Sequence, residues 1–278
     1  MAKIKRQPTL WQKIQKSKSA QRTMAIILPL LFGVVIITLW QTGVLHILFN
    51  TDTFTLPLPD RIIAIFGENI DKIWENILST VAVAGIGLVG GSLIGYLAAV
   101  IASCIPGLGK GGLVVVGAMA SIPIVALAPV ISNWTKDVSK DASIRSMVAK
   151  IIVVAVIAAA DMGLNAYRGL TEIKLYSDDL MKTYAAGVGR TFTKLRLPNS
   201  IPYVFVALKV SVPASVMTAI VSEYFAEYIT GVGRQIRENI VLAQYSTAWA
   251  YIVAACLIGL AFYGLLMLLQ NILLKRYH

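Results

Sequence analysis

The chain has 278 residues, 57% of them hydrophobic and 14% charged, with a mean hydropathy of +0.73. So apolar a composition excludes a single water-soluble enzyme domain. The net charge of +11, from 25 basic and 14 acidic residues, reports membrane orientation and lipid contact in preference to nucleic-acid binding.

Four charge-free runs, 23–51, 76–109, 111–135 and 239–274, hold 29, 34, 25 and 36 residues. Each exceeds the ~20 residues that a spanning helix needs. Residues 1–23 carry seven Lys or Arg and no acid, and read as a basic cytoplasmic segment ahead of a transmembrane domain over 24–278. The first span, from Met24 to about Leu45, is too long for a signal h-region and is followed by no small-x-small site, so it reads as uncleaved. The second span covers Asn76 to Ala102, and Gly87, Gly91 and Gly95 leave one of its faces bare at i, i+4 spacing. Such a face reads as a tight bundle or dimer seam, or as the ordinary glycine content of membrane helices. The third span runs from Gly112 to Ser132 and the sixth from Thr247 to Leu274. Two weaker segments between them count as the fourth and fifth: 147–168, interrupted by Asp161, and 201–226, which contains Lys209 and Glu223. The expected fold is an all-α integral membrane protein of about six helices. Sixteen Lys and Arg fall on the side of the termini and eight on the other, which places both termini in the cytoplasm.

No catalytic set stands out. Cys104 and Cys256 have no Cys-x-x-Cys spacing, His46 and His278 are far apart, and no metal site is legible. Gly107 to Gly112 fits a dinucleotide-loop spacing but lacks the strand and helix that such a loop joins, and Lys110 is followed by Gly111 where a phosphate loop needs Ser or Thr. The chain is therefore expected to bind no cofactor itself.

The polar residues inside the spans carry the functional reading. A carboxylate at mid-span costs ~2.5–3.5 kcal/mol on insertion scales. Asp161, with Asn165 one turn on, reads either as the wall of a translocation path or as a hydrogen-bonding group between helices. Lys209 reads as a snorkelling side chain. Glu223, with Tyr224 and Glu227, reads as an external mouth or a solvated helix end. Pro123, Pro129 and Pro213 remove backbone donors and are expected to kink or interrupt their helices, and broken helices often line membrane-depth sites. Asp161, Asn165, Pro123, Pro213, Met217 and Glu223 form the candidate path. An alternative is an ion-coupled secondary carrier or channel using Asp161.

The loop over about 169–202 is the most informative segment. Ser177, Asp178 and Asp179 suit a helix start, and Leu180, Tyr184 and Val188 recur at i, i+4, i+8, which predicts one short amphipathic helix able to dock in a partner's groove. The stretch Asp179-Leu180-Met181-Lys182-Thr183-Tyr184-Ala185, followed by Leu195-Arg196-Leu197-Pro198, resembles the cytoplasmic Glu-Ala-Ala loop of binding-protein-dependent ABC importer permeases. Asp179 stands at that pattern's Glu, Leu180 and Met181 at its alanines, Ala185 at its Gly and Pro198 at its terminal Pro. Leu56-Pro57-Leu58-Pro59, Ser121 to Pro129, Pro202-Tyr203-Val204-Phe205, Glu223-Tyr224-Phe225 and Gly231-Val232-Gly233 are similar to landmarks of the nitrate, sulfonate and taurine group. The wording lies closest to permeases for thiamine-precursor pyrimidines or riboflavin. The charged 133–147 segment departs from that group, which has a shorter turn there.

The resemblance implies a type I importer permease in a bacterial-type cell membrane. Asp179, Leu180, Met181, Thr183, Tyr184, Ala185 and Pro198 would couple it to a separate ATPase that holds ATP and Mg. It further implies a second permease copy, most simply a homodimer, and an extracytoplasmic substrate-binding protein.

Overall fold

The computed structural model describes residues 18–105, 109, 111–112, 121–226, 228 and 230–274. Most of the basic leader, much of the expected third span, much of the Gly107–Gly112 run and Glu227 lie outside the described residues. Two compact units are separated between Ile65 and Phe66.

In the first unit, α1 (Lys18–Gln41) contains the first span and is apolar on every side along its membrane-length portion. It stops at Gln41, short of the expected Leu45, because Gly43 turns the chain at φ +78° before α2 (Val44–Phe49). Beyond α2 the chain folds back, with the imidazole Nε2 of His46 2.7 Å from the carbonyl oxygen of Leu56. The amphipathic α3 (Pro59–Glu68) starts in this unit, directly after the Leu-Pro-Leu-Pro sequence.

The second unit is helical throughout its described elements: α4 (Ile70–Cys104), α5 (Ile124–Trp134), α6 (Ala142–Thr171), α7 (Ser177–Thr183), α8 (Val188–Thr191), α9 (Leu197–Tyr224), α10 (Val232–Val241) and α11 (Tyr245–Leu274). Five described helices are long and apolar enough to cross a membrane: α1, α4, α6, the α8-to-α9 rod and α11. Of the expected third span the described part is the shorter α5, which begins at Ile124 because Pro123 sits in extended conformation just before it. Pro129 is accommodated inside α5. The fourth span begins five residues before its expected start, at Ala142, because the Asp141 side chain caps the helix by accepting the Ser143 N–H at 2.8 Å.

The glycine stripe of α4 is a seam within one chain, not a face left for a second copy. A Cβ on Gly87 would meet the Val154 side chain, while one on Gly91 or Gly95 would run into the backbone carbonyl of Ala155 or Ala159. Backbone on backbone is the closest packing two helices achieve, and in lipid this van der Waals contact replaces the missing hydrophobic drive. Gly91→Ala should therefore cost about 1–3 kcal/mol by overpacking. Gly90→Ala, one residue away with open space around it, should be neutral or slightly stabilising. Thermal unfolding in detergent reads the difference, and equal effects at both positions would overturn the seam.

The buried face of α6 also packs on α9. Leu88, Ala158, Phe205, Val212 and Leu266 form one buried cluster joining α4, α6, α9 and α11. Ala99, Met162, Ala166, Leu170 and Ala207 form a second. Ala128, Ile131, Ala149 and Val153 seat α5 on α6.

The fifth span is far longer than its apolar run. Helix continues without a break from Val188 to Tyr224, passing through a wider π-type turn at Phe192–Arg196. Pro198 is tolerated because it lies at the first positions of α9, and Pro202 and Pro213 are absorbed inside it. Pro213 thus does not interrupt the helix as expected, although it removes the bond that the Lys209 carbonyl would otherwise receive.

Candidate functional site

At one end of this rod the coupling segment stands clear of the protein. No residue of α7 is buried, and Leu175, Tyr176, Leu180, Tyr184 and Val188 are all exposed. The helix is shorter than the i, i+4, i+8 pattern predicts, and Val188 belongs to α8 instead. Ser177 is its first residue and not its cap, a position taken by Tyr176 in a left-handed conformation. The C-terminus is a Schellman motif: the Ala186 N–H donates to the Met181 carbonyl at 3.0 Å and the Ala185 N–H to the Lys182 carbonyl at 2.8 Å. This motif puts Ala185 at φ +50°. Such a conformation favours glycine, and Ala185 is the position at which the Glu-Ala-Ala pattern has Gly.

The base of the segment is clamped. The Asn199 amide donates to the carbonyls of Gly169 (2.8 Å) and Glu172 (3.1 Å), tying the end of α6 to the start of α9. Below it Gly169 lies against the Ser200 backbone and Tyr203, and the Tyr96 hydroxyl meets the Ser200 hydroxyl at 2.9 Å. Sequence reading passed over Asn199; its place directly after the motif's Pro198 was the available signal.

At the other end of the rod, Glu223 is fully enclosed. Its Oε2 accepts the Thr80 hydroxyl and the Gly233 N–H, both at 2.9 Å. The Thr80 oxygen accepts the Val232 N–H at 2.9 Å, and the Asn76 side chain accepts the Gly231 N–H at 2.9 Å. The three N–H groups that open α10 are thus satisfied by side chains of α4 and α9. Gly231, at φ +105°, lies so close to the Glu223 carboxylate that a Cβ would collide with it. Lys150, also buried, donates to the Thr230 carbonyl at 3.4 Å and interacts electrostatically with Glu223. The expectation of a solvated helix end at Glu223 is therefore corrected: burial with Thr80, Gly233 and Lys150 makes it a pin. Lys150, one of the eight basic residues placed on the far side of the membrane, lies within α6. Neither Thr80 nor Lys150 was singled out from sequence, because nothing in an apolar run marks a partner 70 or more residues away.

The intramembrane candidates fall on different faces. Asp161 is half-buried and accepts the Ser211 hydroxyl at 3.4 Å, whereas Asn165 donates to the Asp161 backbone carbonyl at 2.9 Å within its own helix. Pro213 and Met217 lie on the exposed face of α9, away from Ser211. Pro213, Met217, Ile220, Ile252 and Cys256 line a groove of about 400 Å³ among α9, α10 and α11. Asp161 and Met217 are thus not brought into one site. Among the described residues no cluster of His, Cys, Asp or Glu has the makings of a metal site.

Residues 91–278 match the model of the binding-protein-dependent transport system inner membrane component family. The chain belongs to that family. This permease is 23% identical over 255 residues to the formylaminopyrimidine transport permease protein of Halalkalibacterium halodurans, covering 91% of the chain and 97% of that relative. It is 24% identical over 196 residues to a protein of Haemophilus influenzae described as a probable ABC transporter permease, covering 70% and 76% respectively. Among solved structures its fold is similar to an amino acid ABC transporter crystallised with histidines, at TM-score 0.58 and 14% identity, over 74% of the permease and 96% of that chain. A second is the MetNI methionine ABC transporter in inward facing conformations, at TM-score 0.51 and 19% identity, over 71% and 94%.

The permease is a multi-pass inner-membrane protein and the membrane-spanning subunit of an ABC importer, with ATP hydrolysis belonging to a partner subunit. That assignment displaces the secondary-carrier alternative.

Proposed function

We propose that this permease imports a small polar or heterocyclic nutrient, with α7 seated in a cleft of the partner ATPase. The observation that carries the reading is that α7 buries none of its residues and stands on a base clamped by Asn199. A helix with apolar Leu180 and Tyr184 turned to solvent needs a covering surface, and a clamped base passes that surface's motion into α6 and α9. Asp179, Leu180, Met181, Thr183 and Tyr184 form the contact, Ala185 shapes the helix end, and Pro198 opens α9. The basic segment 1–23 precedes a permease domain over 24–278. Two copies form the path, since one chain with one coupling helix is half of a two-fold device. An external binding protein delivers the solute. The pyrimidine, riboflavin, sulfonate and nitrate classes are the candidate solutes, and the formylaminopyrimidine relative supports the first.

Gentle-detergent purification of the tagged chain with mass spectrometry tests this. A retained ATPase and a second copy are expected; recovery of the chain alone, with no ATP-dependent uptake, overturns it.

On the side of α9 away from Met217, Asp161 is proposed as the competing candidate for a polar wall residue, since one long bond to Ser211 leaves most of its carboxylate's capacity unused. Asp161→Asn keeps the acceptor for Ser211 and removes the charge. Uptake should change by about tenfold, equivalent to roughly 1.4 kcal/mol, with the unfolding midpoint held. A shifted midpoint with normal uptake would assign Asp161 to helix packing instead.

A further inference from the structure

The outward faces of the spanning helices differ in kind. On α4, Val89, Leu93 and Leu97 are exposed, and on α11, Leu260, Leu268 and Ile272; these are surfaces suited to lipid. On α9 the exposed face runs through Val206, Lys209, Val210, Pro213 and Met217. Among the described residues, Lys209 is the one exposed charge more than three turns from both ends of a spanning helix.

Its depth excludes easy escape. Lys194, Arg196, Asn199 and Glu172 mark the polar level at the base of α9, and Lys209 lies ten residues past Asn199, roughly 15 Å along the axis. That is about half of a ~30 Å hydrocarbon layer, beyond the reach of a four-carbon stem. Towards Tyr224 the distance is greater still. At the same level Pro213 withholds its helix bond from the Lys209 carbonyl, so a second polar group there needs a partner. No carboxylate among the described residues lies within ion-pair distance of Lys209. An ammonium at mid-depth is costly unless it meets water or a polar solute, and the carbonyl freed by Pro213 adds an acceptor at the same level.

We propose that Lys209 is a selectivity residue of the translocation path: its ammonium faces water along the Val206–Met217 face of α9 and favours solutes carrying a carboxylate, sulfonate or phosphate. This rests on the importer reading above and narrows its solute class to anions. Asp161 does not cancel the charge, since Ser211, its partner on α9, points to the opposite side of the helix. Lys209 selects by charge and leaves shape to other groups, so its effect is felt by any small ion entering the path.

The test uses the complete transporter in membrane vesicles, with Cys104 and Cys256 replaced by Ser. Val206→Cys places a reporter thiol one turn before Lys209 on the same face, where neighbouring Cβ atoms are about 5–6 Å apart. Leu260→Cys on α11 is the lipid-facing control. Each is treated with anionic sulfonatoethyl and cationic trimethylammonioethyl methanethiosulfonate. The expected result is reaction of both reagents at Val206→Cys and neither at Leu260→Cys. The anionic-to-cationic rate ratio should fall about tenfold with Lys209→Gln and be kept with Lys209→Arg, as a unit charge at this distance implies. Unreactive Val206→Cys in a complex that still retains its ATPase overturns the proposal and leaves the importer reading standing. A ratio indifferent to Lys209→Gln overturns it as well. Absence of an ATPase from the parent complex overturns the importer reading itself.

Discussion

Glu223→Ala is expected to destabilise the permease by about 1–3 kcal/mol for each buried donor it leaves without an acceptor. The substitution strands the Gly233 N–H and the Thr80 hydroxyl in an enclosed space and leaves Lys150 without its nearest counter-charge. Glu223→Gln should cost distinctly less, because an amide oxygen still accepts from Thr80 and Gly233 and only the charge is lost. Combining Glu223→Gln with Lys150→Met should recover part of the loss, since the pair is then replaced and no longer broken. Unfolding midpoints of the detergent-purified protein measure all three. A Glu223→Ala midpoint within a degree or two of the parent would show that the α4–α9–α10 junction holds without its carboxylate.

Asp179→Lys should abolish ATP-driven uptake, by tenfold or more, and release the ATPase in detergent, while leaving the fold unchanged. The fold is insulated because Asp179 contributes only an exposed ion pair to Lys182 at 3.1 Å, with both side chains more than two-thirds accessible, and such pairs are worth about 0–1 kcal/mol. The interface is not insulated. The reversal places a cation in the first turn of α7, where the helix dipole favours an anion, on the surface that meets the partner. Asn199→Ala offers the complementary separation: α7 is intact and the ATPase should remain bound, but the clamp onto Gly169 and Glu172 is gone and uptake should fall relative to ATP hydrolysis. Normal uptake by Asp179→Lys would remove α7 from the coupling path.

The spanning helices were legible because an apolar run near 20 residues has few alternatives in a membrane, and the coupling segment because its residue spacing survives changes of letter. Helix ends were less legible. The rod beginning at Val188 runs through Pro198 because it follows directly on a π-type turn at the first positions of α9, and Pro202 is absorbed inside that helix, neither of which shows as periodicity. Ala185 illustrates the same limit from the other side. Its positive φ is a property of the Schellman ending, visible in sequence only through the glycine that the family pattern has there. Glu223 reads as a mouth or a solvated helix end in sequence, because an acid near the end of an apolar run looks solvated until Thr80, Lys150 and Gly233 arrive from three other segments. Lys209 reads in sequence as a snorkelling side chain eleven residues past Pro198, and the continuity of α9 turns that spacing into a depth.

The unbroken helix from Val188 to Tyr224 has a mechanical implication. A close backbone contact, where Gly169 meets Ser200, divides it unequally, with twelve residues on the cytoplasmic side and twenty-four on the other. At 1.5 Å per residue these are arms of roughly 18 and 36 Å. A rigid bar turning on that fulcrum doubles displacement, so a nudge of about 1 Å at the ATPase end would sweep the far end by about 2 Å. Because Glu223 binds that far end to α10, the amphipathic outer helix would be carried with it as a single moving part.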